Sequence, residues 1–143
     1  MILLAQPCHA AALADIEAQQ PRAAGWKKEG FESEIRQTCA QIYGEWQEEK
    51  LIGFLALRSA GGFAEILNIA VLPQAARQGI GFRLLAHALA CLKQQKVCQV
   101  SLEVAQDNQA AVALYRKAGL CILGERKDFY GPQKHAYIMG VNL

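Results

Sequence analysis

The chain has 143 residues, of which 52% are hydrophobic and 20% are charged, and its formal net charge is +2. These values exclude a disordered chain, and the small charge, without a lysine-arginine run, excludes a typical nucleic-acid binder. The length suits a single domain over residues 1–143. No apolar run approaches the roughly 20 residues of a membrane span, so we expect no membrane partner.

The N-terminal stretch "MILLAQPCHAAALA" lacks the features of a secretory signal. It has no positive n-region, and Gln6, Pro7 and His9 interrupt its apolar residues. The five cysteines are widely spaced and form no C-x-x-C pair, which argues against a disulfide framework and against a zinc site. We therefore expect a cytoplasmic protein that binds no metal and whose cysteines are small buried thiols.

The first half of the chain predicts short helices placed between strands. "ILLA" predicts a short strand, and "HAAALADIEAQQ" and "KEGFESEIRQT" predict two helices. "QIYGEW" and "LIGFLAL" have the composition of strands, and the polar "QEEK" between them predicts a hairpin. The glycine pair at positions 61 and 62 predicts the next turn.

The second half predicts a βαβα unit. Its elements are a strand (64–71), a helix (82–95), a strand (97–104) and a helix (109–117). A crossover of this kind joins two parallel strands. The outer strands, including "LCILGE" and "AYIMGV" near the end, predict antiparallel pairing. The fold class is therefore α/β or α+β with a mixed sheet.

Two glycines, Gly79 and Gly81, stand where the helix of the βαβ unit begins. Glycine inside a helix costs about 1 kcal/mol relative to alanine, so their position needs a reason. This turn lies at the carboxyl edge of the first strand, where helix N–H groups could hold a phosphate, with Arg77 and Arg83 adding charge. The dinucleotide fingerprint fails because Leu84 replaces its third glycine, and no P-loop Gly-Lys-Ser/Thr follows. A simple tight turn is the alternative.

The segments "NIAVLPQAARQGIGFRLL" and "LEVAQDNQAAVALYRKAGL" resemble the GCN5-related N-acetyltransferases (GNAT). The resemblance is closest to the bacterial ribosomal-protein-alanine N-acetyltransferases of the RimI type, and it extends from about residue 24 to residue 141. It implies a mixed, splayed sheet of six or seven strands with about four helices. Acetyl-CoA would lie between the two central parallel strands.

The resemblance also implies which residues bind acetyl-CoA. The backbone of Ile69, Ala70 and Val71 would face the pantetheine and the acetyl carbonyl, and an N–H of Ala70 or Val71 would donate to the oxyanion. Asn108 would bond the pantetheine arm, although a plain helix N-cap explains it as well. Ala76 replaces the Gln or Arg that the family usually has, which predicts weaker affinity at most. The pyrophosphate would lie in a cradle formed by Arg77, Gln78, Gly79, Ile80, Gly81 and Phe82.

Acyl transfer to an amine requires a base for the amine, donors for the oxyanion and a proton for the leaving thiolate. Glu103 lies near the end of a central strand, where an exposed strand-end glutamate is the alternative. The resemblance implies that Glu103 is the general base and that Tyr115, otherwise a core tyrosine, is the general acid. Phe129 and Tyr130 would line the acceptor groove or pack within their own loop.

The predicted activity is direct acetylation of the α-amine of a protein N-terminus, by resemblance that of a small-subunit ribosomal protein. No base is expected near any cysteine, so we expect no covalent acyl-enzyme. Lys134 and His135 replace an acidic pair of the family, and Leu120 replaces a phenylalanine. These changes leave other acceptors open: a small-molecule amine, an amino acid or a lysine side chain. A non-catalytic acyl-CoA-binding module is the alternative outside enzymes.

Overall fold

A computed structural model describes residues 1–143 and contains one seven-stranded sheet and four α-helices. The strands are β1 (Ile2–Leu4), β2 (Ala40–Gln47), β3 (Lys50–Ala60), β4 (Phe63–Val71), β5 (Gln99–Ala105), β6 (Cys121–Arg126) and β7 (Ala136–Asn142). The helices are α1 (Ala10–Ala18), α2 (Lys28–Ile35), α3 (Ile80–Gln94) and α4 (Gln109–Lys117). No helix is both long enough and apolar enough to cross a membrane.

The strand order across the sheet is β1-β2-β3-β4-β5-β7-β6. Only β4 and β5 run parallel, and every other neighbouring pair is antiparallel. The single parallel pair follows from the α3 crossover, because a helix of this length returns the chain to the same end of the sheet. The predicted mixed sheet, its strand number and its four helices are confirmed.

Helices cover both faces of the sheet. Neighbouring residues of β3 point to opposite faces, and Phe54 and Gly53 pack against different helices. Phe54 is fully buried against Phe31 of α2, with ring centroids 5.3 Å apart. The preceding Gly53 faces α3, where an added Cβ would lie 3.1 Å from Ile80 Cγ2 and 3.2 Å from the Ala70 carbonyl oxygen. Glycine therefore lets the start of α3 approach the sheet closely. A cluster of 30 buried residues forms the core.

The two parallel strands are hydrogen-bonded at one end only. Their pairing ends at Glu65 and Ser101, although β4 continues through residues 66–71 and β5 through residues 102–105. In β4, Leu67 has no partner in β3, because the register shifts between Ala56 and Leu57. A bulge of this kind bends a strand and increases its twist. The strands therefore separate toward their carboxyl ends, which gives the predicted splayed sheet.

The expected burial of the cysteines is wrong. Three of them are exposed and two are half-buried, and all five are free: Cys8, Cys98 and Cys121 in the first group, Cys39 and Cys91 in the second. Their positions explain the difference. Cys121 begins the edge strand β6, and Cys98 lies just before β5, where the sheet meets solvent.

Candidate active site

The gap between β4 and β5 opens into a groove of about 1230 Å³. The separated strands form its floor, and the α1–α2, β5–α4 and β6–β7 loops form its rim. Residues singled out in the sequence come together here from four parts of the chain: Ile69, Glu103, Asn108, Tyr115, Phe129 and Tyr130. The remaining predicted positions, 70–71 and 77–82, lie at the carboxyl end of β4 and at the start of α3.

The backbone of β4 offers hydrogen-bonding groups to the groove at every second residue. The Leu72 N–H donates to the Ile52 carbonyl at 2.8 Å, so these two residues form a hydrogen-bonded pair. Antiparallel pairs alternate, and the N–H of Ala70 therefore also faces β3. The N–H groups of Ile69 and Val71 face away from β3, toward the separated β5. This geometry distinguishes Ala70 from its two neighbours, which the sequence did not.

The turn before α3 presents unpaired backbone N–H groups. Helix α3 begins after Gly79, which has φ +76°, and no side chain caps its N-terminus. Arg77 is also left-handed, with φ +64°. Left-handed residues in such a turn point successive N–H groups into one concave site, and the first N–H groups of the helix (80–82) have no intrahelical acceptor. The turn is therefore shaped to hold a phosphate-bearing ligand.

The sequence suggested that Arg83 adds positive charge to this turn, but its guanidinium is paired with a carboxylate instead. It donates from Nε and Nη2 to Glu45 Oε1 at 2.9 and 2.6 Å, and from Nη1 to the Gln78 carbonyl at 3.0 Å. Burial would raise the pKa of Glu45, but hydrogen bonds from Arg83 and the chain's α-amino group lower that pKa overall. Arg83 thus braces the turn against β2. No local sequence signal reveals this brace, since its charged partners are 38 residues apart.

The carboxylate of Glu103 is held by a partner that the sequence did not reveal. Arg126, the last residue of β6, donates from Nη1 to Glu103 Oε1 at 2.6 Å. The Glu103 side chain is 21% exposed. No other group of the chain bonds to this carboxylate, so its second oxygen is available to a ligand in the groove.

Two phenols lie in the groove with this carboxylate. Burial raises the pKa of Tyr115 to about 12, and the nearby Tyr130 adds to the shift. Burial, and then the negative charge of Glu103, raise the pKa of Tyr130. Both tyrosines therefore keep their protons at neutral pH. Tyr130 lies close enough to influence both of the other groups.

The β5–α4 loop combines a helix cap with an unpaired donor. Asn108 Oδ1 accepts from the Ala111 N–H at 3.4 Å and so caps α4, while the residue also lines the groove. The side chain of Gln106 lines the groove as well, and its buried Nε2 has no hydrogen-bond partner. A buried donor without an acceptor is costly. A ligand carbonyl in the groove would satisfy it, which fits an amide-containing arm such as pantetheine.

One end of the groove is lined by the β6–β7 loop. Phe129 and Tyr130 form an edge-to-face pair with centroids 4.8 Å apart. Lys134 and His135 line the same end. The Phe129 ring also lies 4.6 Å from the guanidinium carbon of Arg126. The aromatic pair is thus part of the groove wall and not only packed within its own loop.

Two polar pairs line the groove on the side of α1. Arg22 and Asp107 form a 3.0 Å ion pair that joins the α1–α2 loop to the β5–α4 loop. Asn68 Nδ2 donates to Glu17 Oε2 at 2.6 Å, and Glu17 is only 1% exposed. The partners are 85 and 51 residues apart in the chain. Sequence reasoning missed both pairs because nothing local marks them.

The match to known proteins identifies the family. Residues 10–120 match the acetyltransferase (GNAT) family. The chain belongs to this family. It is therefore an acetyl-CoA-dependent N-acyltransferase, and the uncapped turn before α3 and the unpaired Gln106 donor fit the coenzyme.

Two curated bacterial proteins are similar to this acetyltransferase in sequence. A Bacillus subtilis protein, provisionally named a ribosomal protein bS18-alanine N-acetyltransferase, is 30% identical over 120 residues, which cover 82% of this chain and 80% of that protein. The ribosomal protein bS18-alanine N-acetyltransferase of Escherichia coli (strain K12) is 36% identical over 84 residues. That match covers 59% of this chain and only 57% of the Escherichia coli enzyme.

Solved structures share the fold of this acetyltransferase. The ribosomal-protein-S18-alanine N-acetyltransferase from Escherichia coli has a TM-score of 0.91 at 28% identity, with 99% of this chain and 92% of that chain covered. The PaiA N-acetyltransferase from Thermoplasma acidophilum, solved in complex with coenzyme A, has a TM-score of 0.84 at 20% identity, with 100% and 98% covered. The second likeness is one of fold alone.

The expectation that no base lies near a cysteine is wrong for this acetyltransferase. His87 Nε2 is 3.5 Å from Cys91 Sγ, one helical turn away on α3. The His87 ring packs against Tyr43, with centroids 5.2 Å apart, and is not simply solvated. Neither residue of this pair lines the groove. No group of three or more His, Cys, Asp and Glu side chains is placed to hold a metal ion.

Proposed function

We propose that this enzyme acetylates the α-amine of a protein N-terminus, with the N-terminal alanine of a small-subunit ribosomal protein as its acceptor. The observation that carries the proposal is a groove, open between the parallel strands, that brings together the Glu103 carboxylate and the buried phenol of Tyr115. The names of the two curated relatives support the choice of acceptor. The cytoplasm, where ribosomes are assembled, is then the proposed place of action, and residues 1–143 act as one catalytic domain.

The proposed cofactor site uses mainly backbone. When bound, acetyl-CoA supplies a thioester whose acetyl group is transferred to the amine. The turn at residues 77–82 would bind the pyrophosphate, and Asn108 and Gln106 would bond the pantetheine arm. Among the two oxyanion donors considered, we assign Val71, because its N–H faces away from β3 while that of Ala70 is directed to it.

Glu103 is the proposed general base. An α-amino group has an ordinary pKa of about 7.7–8.0, against about 10.4 for lysine, so a carboxylate removes its proton more readily. Arg126 bonds to one oxygen of Glu103, and the other oxygen is free to accept the proton of the amine. The lower pKa of an α-amino group therefore favours a protein N-terminus over a lysine side chain as acceptor.

Tyr115 is the proposed general acid for the leaving thiolate. Its pKa of about 12 keeps the phenol protonated at every physiological pH. Negative charge accumulates on the sulfur as its bond to carbon breaks, so the phenol donates its proton as the thiolate leaves and later regains a proton from solvent. Phe129 and Tyr130 are the proposed acceptor-binding pair, since this aromatic pair lines the groove together with Glu103.

The proposal is tested by acetyl transfer to a panel of amines. The panel contains peptides beginning with alanine, the same peptides with blocked N-termini and one lysine, free amino acids and small-molecule amines. We expect acetylation of the free alanine N-terminus. Preference for a small amine or for lysine would replace the proposed acceptor, and coenzyme A binding in calorimetry without any transfer would establish a non-catalytic module.

The base is tested with Glu103→Gln. We expect kcat/KM to fall about 10²- to 10⁴-fold with unchanged coenzyme A affinity. Glu65→Gln is the matched control, because Glu65 is a second carboxylate that lines the same groove. Equal activity in Glu103→Gln and wild-type protein would contradict the assignment.

A further inference from the structure

Arg126 reaches Glu103 across an intervening strand. In the sheet, β7 lies between β5 and β6, so the two side chains belong to non-adjacent strands. The row of residues beside Arg126 consists of Ala136 on β7 and Ala105 on β5. These small side chains leave space above the sheet for the long arginine. The resulting bond from Nη1 to Oε1 measures 2.6 Å.

Phe129 fixes the guanidinium on a second side. The guanidinium carbon of Arg126 lies 4.6 Å from the centre of the Phe129 ring. Arginine stacks favourably on aromatic faces, because its planar cation meets the electron-rich ring. The ring is itself packed edge-to-face against Tyr130. Arg126 is thus held between an aromatic wall and a carboxylate, although its side chain is 51% exposed.

Arg126 approaches the carboxylate from outside the groove. Glu103 lines the groove, whereas Arg126 does not. The guanidinium therefore leaves the side of the carboxylate that faces the groove unobstructed. Other titratable groups line this groove without a hydrogen bond to Glu103: Glu17, Arg22, Glu65, Asp107, Tyr115, Tyr130, Lys134 and His135.

We propose that Arg126 is a positioning residue that holds the Glu103 carboxylate in the orientation needed to accept a proton from the acceptor amine. The inference rests on the proposed function, in which Glu103 is the base. A glutamate without a partner rotates among several side-chain conformations. A base is effective only within hydrogen-bond reach of its proton, and a misplacement of about 1 Å can cost about 10²-fold in rate. One charge-assisted bond to one oxygen restricts this rotation and leaves the other oxygen free.

The first experiment compares Arg126→Gln with Lys127→Gln. Lys127 is the next residue in the chain, is exposed and has no salt-bridge partner. Both variants therefore remove one positive charge from the start of the β6–β7 loop. With a peptide that begins with alanine as acceptor, we expect Arg126→Gln to lower kcat/KM by about 10- to 100-fold, mainly through a lower kcat. Lys127→Gln retains the wild-type value. Equal rates for the two variants would overturn the inference.

Arg126→Lys adds a rescue. An ammonium group can donate to the same carboxylate oxygen, so this variant regains part of the lost kcat. Coenzyme A affinity by calorimetry and the melting temperature stay at wild-type values in all three variants. A general loss of both would mean that Arg126 stabilises the fold, and it would overturn a positioning role. Arg126→Lys as slow as Arg126→Gln would overturn it too.

A double-mutant cycle separates this inference from the proposed function. If Arg126 acts through Glu103, then Arg126→Gln causes no further loss in a Glu103→Gln background. The same fold-loss in both backgrounds would overturn the inference and leave the base assignment intact. Full activity of Glu103→Gln alone would overturn the base assignment, and with it this inference.

Discussion

The two ends of the candidate active site differ in the atoms that they present. Around residues 69–71 and 77–82, the proposed cofactor site offers mainly backbone N–H groups of a strand end and a helix start. Around Glu103 and the β6–β7 loop, the groove is lined by carboxylate and phenol groups from separate elements, and the guanidinium of Arg126 holds the carboxylate from outside. A backbone site tolerates changes of side chain, whereas a site of side chains depends on each partner. We therefore expect substitutions to separate the two ends by what they impair.

After Glu103→Gln, the largest expected effect is that of Tyr115→Phe. Removal of the proposed proton donor lowers kcat about 10²-fold, while coenzyme A affinity is unchanged. Because the pKa of Tyr115 is raised to about 12, its ionisation does not reduce kcat at mildly alkaline pH. The measurement is a kcat–pH profile of both proteins. An alkaline loss of activity well below pH 10.0 that disappears in Tyr115→Phe would contradict the raised pKa. An unchanged kcat in Tyr115→Phe would contradict the role of proton donor.

Gly79→Ala tests the backbone end. A residue with a Cβ pays about 1–2 kcal/mol in the left-handed conformation, so we expect the Kd for coenzyme A to rise about 5- to 30-fold. The control is Gly61→Ala in the β3–β4 turn, where φ is +59° and no atom lies within 4 Å of an added Cβ. That variant loses comparable stability and binds coenzyme A normally. Calorimetry showing equal Kd values for both variants would remove the special role of Gly79.

Glu45→Gln tests the brace behind the cofactor turn. The folded pKa of Glu45 is lowered, so its carboxylate contributes stability above the ordinary glutamate pKa and loses it as the pH falls through the folded value. We expect about 1 kcal/mol less free energy of unfolding at neutral pH, with a difference from wild type that shrinks below about pH 4. Urea unfolding at both pH values measures it. Glu125→Gln, on an exposed β6 position, serves as control, and a pH-independent difference would refute the ion pair's contribution.

The smallest expected effect is that of Ala76→Arg. This substitution introduces a basic residue at a position where the acetyltransferase family usually has Gln or Arg. A solvent-exposed charge contributes about 0.2–1 kcal/mol, so the Kd for coenzyme A falls by about 1.5- to 5-fold. The gain diminishes at high salt, because an exposed charge is screened. A gain that persists in high salt would point to a contact other than charge.

Much of the fold was predictable because it depends on local patterns. Alternating strands, the turns at 61–62 and 79–81, and the helix at 109–117 all appear in the structure near their expected positions. The burial of the cysteines was not predicted correctly, because free thiols are usually buried, whereas Cys98 and Cys121 here lie at strand ends and the other three are also exposed or half-buried. The Cys91–His87 contact was overlooked, although its i, i+4 spacing on a helix could have revealed it.

Resemblance to a family singled out Glu103 and Tyr115, and their roles stay predictions. The sequence alone predicted the parallel pair and the glycine turn at the start of a helix. These follow from periodicity, backbone conformation and motif, which are properties of neighbouring residues. Only the tertiary structure showed that Arg83 donates to Glu45 and that Arg126 donates to Glu103. It also showed that the N–H groups of Ile69 and Val71 face the gap between β4 and β5. Such contacts join residues far apart in the chain, and their geometry is fixed only when sheet register and strand separation bring them together.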